Sequence, residues 1–429
     1  MNKKVTVGIT LAFIFITIAL TFTATMLFAM NLFDKKIVAI QDREKMYEKI
    51  AEIDSYIRQN YYLGVDDEKV MDGLARGYVA GTGDSSVKYF TKFDVDHINE
   101  SRTGKMCGIG VEAETNASGY VQITEVYEST SAEKLGMKPG DTIVRVNDED
   151  ALSLGADTVR ECLYGEANDV VKITFSREGE DFTYEFVYGT YDTYALHTYD
   201  VNGYLYFRIL AFNDVTLGQF QDTIAEKLPQ GNVKGLVFDL RDMDGGYDVT
   251  VAANILDRLL PQRTLVSGIY QGGLTKVLFT SDASSIDLPI AVLVNGGTKG
   301  YSELFAAVLG DFDNVRIIGE QTYGDGTYSV LYQLPDGTAL YVPVCELLGC
   351  GTVRYNLVGV TPDFVAAPEE TFVIPEGEPS IETDVQLRKA LEVLDSEFNN
   401  APATPENEPE QPEITETEPE TERSSDAEE

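Results

Sequence analysis

The sequence predicts a mixed α+β and α/β protein, with helices at its start, a strand-rich middle and an alternating strand–helix core. Three observations predict this. A charge-free apolar run fills the N-terminus between Lys4 and Asp34. A strand of alternating pattern, Val170-Val171-Lys172-Ile173-Thr174-Phe175, is followed by a turn at Glu178-Gly179-Glu180. From Gly203 onward, nearly continuous apolar strands such as Gly235–Leu240 and Pro289–Val294 alternate with helical patterns, as in a sheet covered on both faces.

The run Val5–Phe33 exceeds the ~20 residues that cross a bilayer core as a helix. A cleaved signal would end in a small-residue site, which Phe28-Ala29-Met30 matches poorly, so the expectation is an uncleaved single-pass anchor over 5–33. Asn2-Lys3-Lys4 with the free amine assigns the start to the cytoplasm and everything after residue 34 to the outside of the cell membrane. From Lys35 to Asn60, Ile37, Ile40, Met46, Ile50, Ile53 and Ile57 recur at helical spacing among charges. A second helix is read over Val70–Tyr78, with Asp66-Asp67 as its cap, in a helical region spanning 34–104.

The 429 residues suffice for two or three domains, and 43% hydrophobic content supports real cores. A formal net charge of −38 excludes nucleic acid as a partner, since phosphates must be neutralised by Lys and Arg. Two histidines, His97 and His197, cannot supply a multi-histidine metal site, and the sequence calls for no metal or cofactor. Cys107, Cys162, Cys345 and Cys350 match no zinc spacing. An oxidising exterior permits disulfides, and buried thiols are the plain alternative.

Residues 105–188 resemble a PDZ domain. Gly108-Ile109-Gly110-Val111 is similar to its carboxylate-binding loop, and Ser131–Asn147 to its helix, Pro-Gly-Asp turn and following strand. Such a groove adds an extended peptide as a strand, with loop amides capturing the terminal carboxylate, so protein or peptide C-termini are the implied partners. A domain that only packs against the core is the alternative.

Residues 189–398 resemble the core of the C-terminal processing (tail-specific) serine peptidases, with a ClpP/crotonase-like α/β fold implied, and the likeness runs over about 45–370. Asn295-Gly296-Gly297, Ser302-Glu303 and Gly319-Glu320 fix the register without gaps. The family works through a Ser–Lys dyad, a lysine desolvated enough to take the serine proton. Its nucleophile falls on Gly300, its lysine on Asp325, and the glutamine orienting that lysine on Ser329. None of these side chains can perform the inherited role, so no catalytic residue is expected. Ser302 and Lys299, three apart at a helix start, are the nearest substitutes.

Asp239-Leu240-Arg241-Asp242-Met243-Asp244-Gly245-Gly246 resembles the family's Asp-Leu-Arg-x-Asn-Pro-Gly-Gly, whose glycine turn gives one N–H of the oxyanion hole. The amide after the nucleophile, here that of Tyr301, gives the other. Gly245, Gly246 and Tyr301 are thus the oxyanion-hole positions by resemblance, although the same amides are also ordinary first-turn donors. Asp244 would oppose a developing oxyanion. Val385–Phe398 reads as a closing helix, and 399–429, rich in Pro, Glu and Thr, as a solvated acidic tail. The expectation is an extracytoplasmic, peptide-binding family member without peptidase chemistry. An active peptidase with substitute residues and a non-enzymatic envelope scaffold are the alternatives.

Overall fold

The computed structural model describes residues 7–399 except 194, 351–353, 370–371 and 376, and leaves out most side chains before residue 44. The chain divides into two compact units, Met1–Thr82 and Gly83–Glu429.

In the first unit one helix runs Val7–Asn60. Among the described residues no helix is long and apolar enough to cross a membrane. The expected span 5–33 falls largely on positions whose side chains lie outside the described set. The second helix, Asp67–Ala80, starts where the Asp66 carboxylate accepts from the amides of Glu68 and Lys69, satisfying two of the donors that a helix start leaves open.

The second unit contains both resemblance regions. Its first strand, Lys88–Phe90, pairs antiparallel with Ala339–Leu348, so the stretch read as helical over 34–104 includes a strand. The cause is tertiary: Phe90 is buried against Val95, Ile98, Ala339 and Tyr341. Helix Lys92–Arg102 follows, closed at its start by a Thr91/Asp94 capping box.

A six-stranded sheet then runs Val111–Thr115, Val121–Val126, Thr142–Val146, Val170–Arg177, Glu180–Val187, with Glu149–Asp150 paired to the third strand. Its core gathers Ile123, Ile143, Ile173, Phe175 and Phe186, which the period-2 pattern points inward, together with Ile109 of the glycine loop. The Pro139-Gly140-Asp141 turn is fixed by Asp141, 1% exposed, which accepts from the Lys138 amide at 2.8 Å and from Arg177 at 2.6 Å.

The core sheet has the order Leu196–Val201, Tyr204–Ile209, Gly235–Asp239, Ile290–Val294, Val315–Gly319, Phe364–Val365, antiparallel only at its first pair. Alternate residues of one strand serve opposite layers. Phe207, Phe238 and Val292 join helices Asp214–Lys227, Val249–Leu259 and Tyr301–Gly310 on one face. Tyr206, Val237 and Leu293 meet Leu387, Ala390 and Leu394 of helix Val385–Leu394 on the other. That helix stops at Leu394, short of the expected Phe398, and a π-turn carries the chain to Asn399. A separate five-stranded sheet, built on Ala339–Leu348, includes the hairpin Thr264–Tyr270 and Thr275–Thr280, which the sequence reading does not contain. All four cysteines are free thiols.

Candidate active site and its departures

Three loops at the C-terminal ends of adjacent parallel strands converge here, where open α/β sheets place their sites. The loop after Gly235–Asp239 and the loop after Ile290–Val294 are stitched together by Asn295. Its Oδ1 accepts from the amides of Asp242 (2.9 Å) and Gly297 (3.0 Å), and its Nδ2 donates to Asp242 Oδ1 at 2.8 Å. Thr298, fully buried, donates to the Leu240 carbonyl at 2.8 Å, and the Lys299 amide reaches the Met243 carbonyl at 3.0 Å.

Beneath the first loop lies a charged knot. Arg241, 4% exposed, donates to Asp239 (2.8 Å from Nε), to Asp384 (2.7 Å from Nη2) and to Gln386 (2.9 Å). Burial opposes the charge on Asp239, yet the Arg241 guanidinium more than offsets this and holds its carboxyl below the usual range. The knot ties the Asp-Leu-Arg segment to the N-terminus of the closing helix.

Gly300 lies at the turn from Ile290–Val294 into Tyr301–Gly310, with φ 63° and ψ −127°. This is a backbone conformation that L side chains rarely adopt, the kind of strain that a sharp nucleophile turn stores. A Cβ placed there would lie 2.8 Å from the Asp244 carbonyl oxygen.

Glu303 brings the nucleophile and base positions together. Its fully buried carboxylate accepts from the amides of Gly300 (3.2 Å), Gly324 (2.6 Å) and Asp325 (2.7 Å) and from the Thr322 hydroxyl. Burial pushes its pKa up despite these four bonds. In the sequence Glu303 serves only as a register mark. Its clamping role was not legible, although a Glu three residues into a helix is a known capping signal.

Glu303 thus ties the backbone amides of Gly300 and Asp325 to one carboxylate, and neither position carries a hydroxyl or an amine. Asp325 is half-buried and accepts from the Thr327 hydroxyl at 2.9 Å. Ser329 is buried, and its carbonyl lies 3.4 Å from the Tyr301 hydroxyl. Tyr301 is 2% exposed and also meets the Tyr341 hydroxyl at 3.3 Å. Its ring and hydroxyl therefore reach from the nucleophile position toward the one that orients the base. Burial, then Tyr341, raises the Tyr301 pKa, so the phenol is no base at neutral pH.

The oxyanion-hole positions are adjacent. A Cβ on Gly245 would lie 2.4 Å from the Tyr301 nitrogen, so only glycine permits this approach. Among the described residues no acceptor is bonded to the Tyr301 N–H. The Gly246 N–H is already taken by Asp244 Oδ1 at 3.0 Å. A carboxylate therefore sits on one of the two glycine amides that the resemblance assigns to the oxyanion hole.

The substitute pair is not assembled. Ser302 is fully buried and its hydroxyl makes no hydrogen bond, while the Lys299 side chain is exposed. At the glycine loop, Gly108, Ile109, Gly110 and Val111 are all buried. The Ile109 amide donates to the Leu163 carbonyl at 2.9 Å, and Tyr164 lies over the loop with its hydroxyl 3.3 Å from the Val111 carbonyl. His97 packs edge-on against Tyr164 at 4.5 Å.

Comparison with known proteins agrees with this architecture. Residues 203–366 match the model of peptidase family S41 and residues 122–177 that of a PDZ domain. The carboxy-terminal processing protease CtpA of Bacillus subtilis is 25% identical over 329 residues, covering 75% of this chain and 69% of its own length. A probable CtpA-like serine protease of Staphylococcus haemolyticus is 25% identical over 333 residues, 77% of this chain and 66% of that protein. The chain thus spans about two thirds of the length of these relatives. Among solved structures, a photosystem II D1 C-terminal processing protease shares 26% identity over 75% of this chain and 85% of that one, with a TM-score of 0.49. Residues 203–366 are thus similar to the peptidases of family S41 and residues 122–177 to a PDZ domain ahead of them, in a chain similar to the carboxy-terminal processing proteases.

Proposed function

We propose that this chain is a membrane-anchored, extracytoplasmic pseudopeptidase that binds peptides or protein C-termini without cleaving them. One observation carries the reading. The turn that holds a nucleophile and a base in a working relative here holds Gly300 and Asp325, clamped by Glu303. Acyl transfer needs an attacking atom, a group to take its proton and free donors for the oxyanion. Glycine supplies no attacking atom, Asp325 has no hydroxyl opposite it, and Asp244 covers one donor.

The uncharged run between Lys4 and Asp34 supports the anchor, and the PDZ domain supports peptide capture. In this structure the glycine loop is sealed by Tyr164, so a peptide adding to that edge displaces the ring first. The unpartnered Ser302 hydroxyl is the one feature that favours an active peptidase. Against it stands the distance of function between a buried hydroxyl and an exposed amine that do not bond.

The test is cleavage of unstructured peptides with apolar C-termini by the full chain in detergent, read by mass spectrometry. No fragments above a protein-free blank are expected. Turnover that vanishes on Ser302→Ala or Lys299→Ala overturns the pseudopeptidase reading. Absence of saturable peptide binding points instead to a scaffold.

A further inference from the structure

The glycine loop already holds a ligand-like segment of its own chain. Leu163, Tyr164 and Gly165 follow helix Ala156–Glu161 and run along the loop as a short added strand would. The Leu163 carbonyl accepts from the Ile109 amide at 2.9 Å, Gly108 and Tyr164 form an antiparallel bridge, and the Gly165 amide donates to the Cys107 carbonyl at 3.3 Å. Beyond them the Tyr164 hydroxyl donates to the Val111 carbonyl. A peptide entering a PDZ edge uses the same kinds of group, loop amides for its carboxylate and strand carbonyls for its own amides. Strand Val111–Thr115 is that edge, since among the described residues it pairs only with Val121–Val126. Gly108 is bare to admit the segment: a Cβ there would lie 2.6 Å from the Leu163 carbonyl oxygen and 3.0 Å from Tyr164 Cδ1.

Helix Lys92–Arg102 presses the segment home. Phe93 and His97, four apart on one helix face, pack on the Tyr164 ring at 5.9 Å and 4.5 Å between centroids. Val95 and Ile98, on the nearly opposite face, are buried against Phe90, Ala339 and Tyr341 of the five-stranded sheet. The helix is thus fixed from behind by the sheet while its front meets the ring. The grip is light. The Tyr164–Val111 bond is long at 3.3 Å, Tyr164 is only half-buried, and among the described residues no hydrogen bond holds the His97 ring.

We propose that segment 163–165 is an internal pseudo-ligand of the glycine loop, latched by Phe93 and His97, and that peptide C-termini bind only to the minor state in which it has swung off the loop. The proposal rests on the peptide-binding reading above and adds its regulation. A site that is competent in a fraction of molecules shows an affinity reduced by that fraction. Loosening the latch therefore tightens binding without adding any contact to the peptide.

The experiment is fluorescence anisotropy with the full chain in detergent. The probe is a labelled Ser/Gly decapeptide ending in Leu-Val-Ala with a free carboxylate, and its C-terminal amide is the control. Phe93→Ala with His97→Ala removes the latch from a partly exposed helix face, and Tyr164→Phe removes only the hydroxyl bond. The double variant should bind the free-carboxylate probe about tenfold tighter, equivalent to about 1.4 kcal/mol, and Tyr164→Phe about threefold tighter. The gain should lie in the association rate, which in the parent chain should level off with rising peptide as opening becomes limiting. Hydrogen exchange at the Ile109 amide should speed up about tenfold in the double variant.

If the double variant does not melt cooperatively, the nearly isosteric Tyr164→Phe decides alone. Unchanged affinity in the folded variants, with saturable binding retained, overturns the latch and leaves the peptide-binding reading standing. Equal tightening of the amidated probe reveals adhesion to bared rings and also overturns it. Absence of saturable binding in every form, with Ile109 exchange still accelerated, instead sinks the peptide-binding reading, and the proposal falls with it.

Discussion

Replacing Gly300 with serine tests the turn and the chemistry together. The position has φ 63° and ψ −127°, where a side chain is strained by roughly 1–3 kcal/mol. The new Cβ also lies 2.8 Å from the Asp244 carbonyl oxygen, which must move, and forced contacts of this kind typically cost about 1–3 kcal/mol. The sum is a loss of about 2–6 kcal/mol, or roughly 4–24 °C in Tm for a domain of this size. Differential scanning fluorimetry of Gly300→Ser and Gly300→Ala reads the effect. Both should fall together, since the cost belongs to the Cβ and the backbone rather than to the hydroxyl. Neither should react with a serine-directed phosphonate, because Asp325 and Tyr301 stand where a base and its space would be. A Tm within about 1 °C of the parent chain, below the ~2–4 °C that a single lost kcal/mol produces, refutes the strain reasoning. Rapid phosphonate labelling of Gly300→Ser refutes the chemical reasoning.

Four further outcomes follow from the same geometry. Arg241→Met leaves Asp239 and Asp384 buried without their cation and should cost about 3–5 kcal/mol in chemical denaturation. Glu303→Gln turns an amide NH₂ toward donors that need an acceptor, and should cost about 2–4 kcal/mol with faster hydrogen exchange at Gly324 and Asp325. Glu112 has a folded pKa of about 6 against 4.5 unfolded, so the folded state holds the extra proton between these values. Its contribution is complete below about pH 4.5 and declines as pH rises to about 6, and Glu112→Gln should remove that slope and gain about 1–2 kcal/mol at pH 7. Phosphonate labelling should appear only when Gly300→Ser and Asp325→Lys are combined with Tyr301→Ala and Asp244→Asn, and labelling by the first two alone contradicts the roles given to Tyr301 and Asp244.

Elements set by local pattern were legible in the sequence. The buried strands around Val237 and Val292 and the helix start after Gly300 follow from runs of apolar residues broken by glycine. The hairpin Thr264–Thr280 was not, because its outer strand is mostly exposed and shows no clean alternation. The replaced residues at 300, 325 and 329 were readable by register, since Asn295 and Glu303 anchor it. What those residues do together was not. The Arg241–Asp384 bond joins positions 143 apart, and the Tyr301 hydroxyl reaches strand residues 28 and 40 positions on. Sequence shows that such groups exist and is silent on which others they meet. The seal of Tyr164 over the glycine loop is likewise a fact of packing between segments.

The Asp384 carboxylate also governs the order in which the molecule can finish folding. Until that residue has been synthesised and brought home, the guanidinium beneath the Asp-Leu-Arg segment lacks one of its two anionic partners, and the sheet has one layer still uncovered. The last helix acts as a keystone. A chain shortened within the acidic extension beyond it should assemble normally, whereas one cut a few residues earlier, before position 384, should never mature.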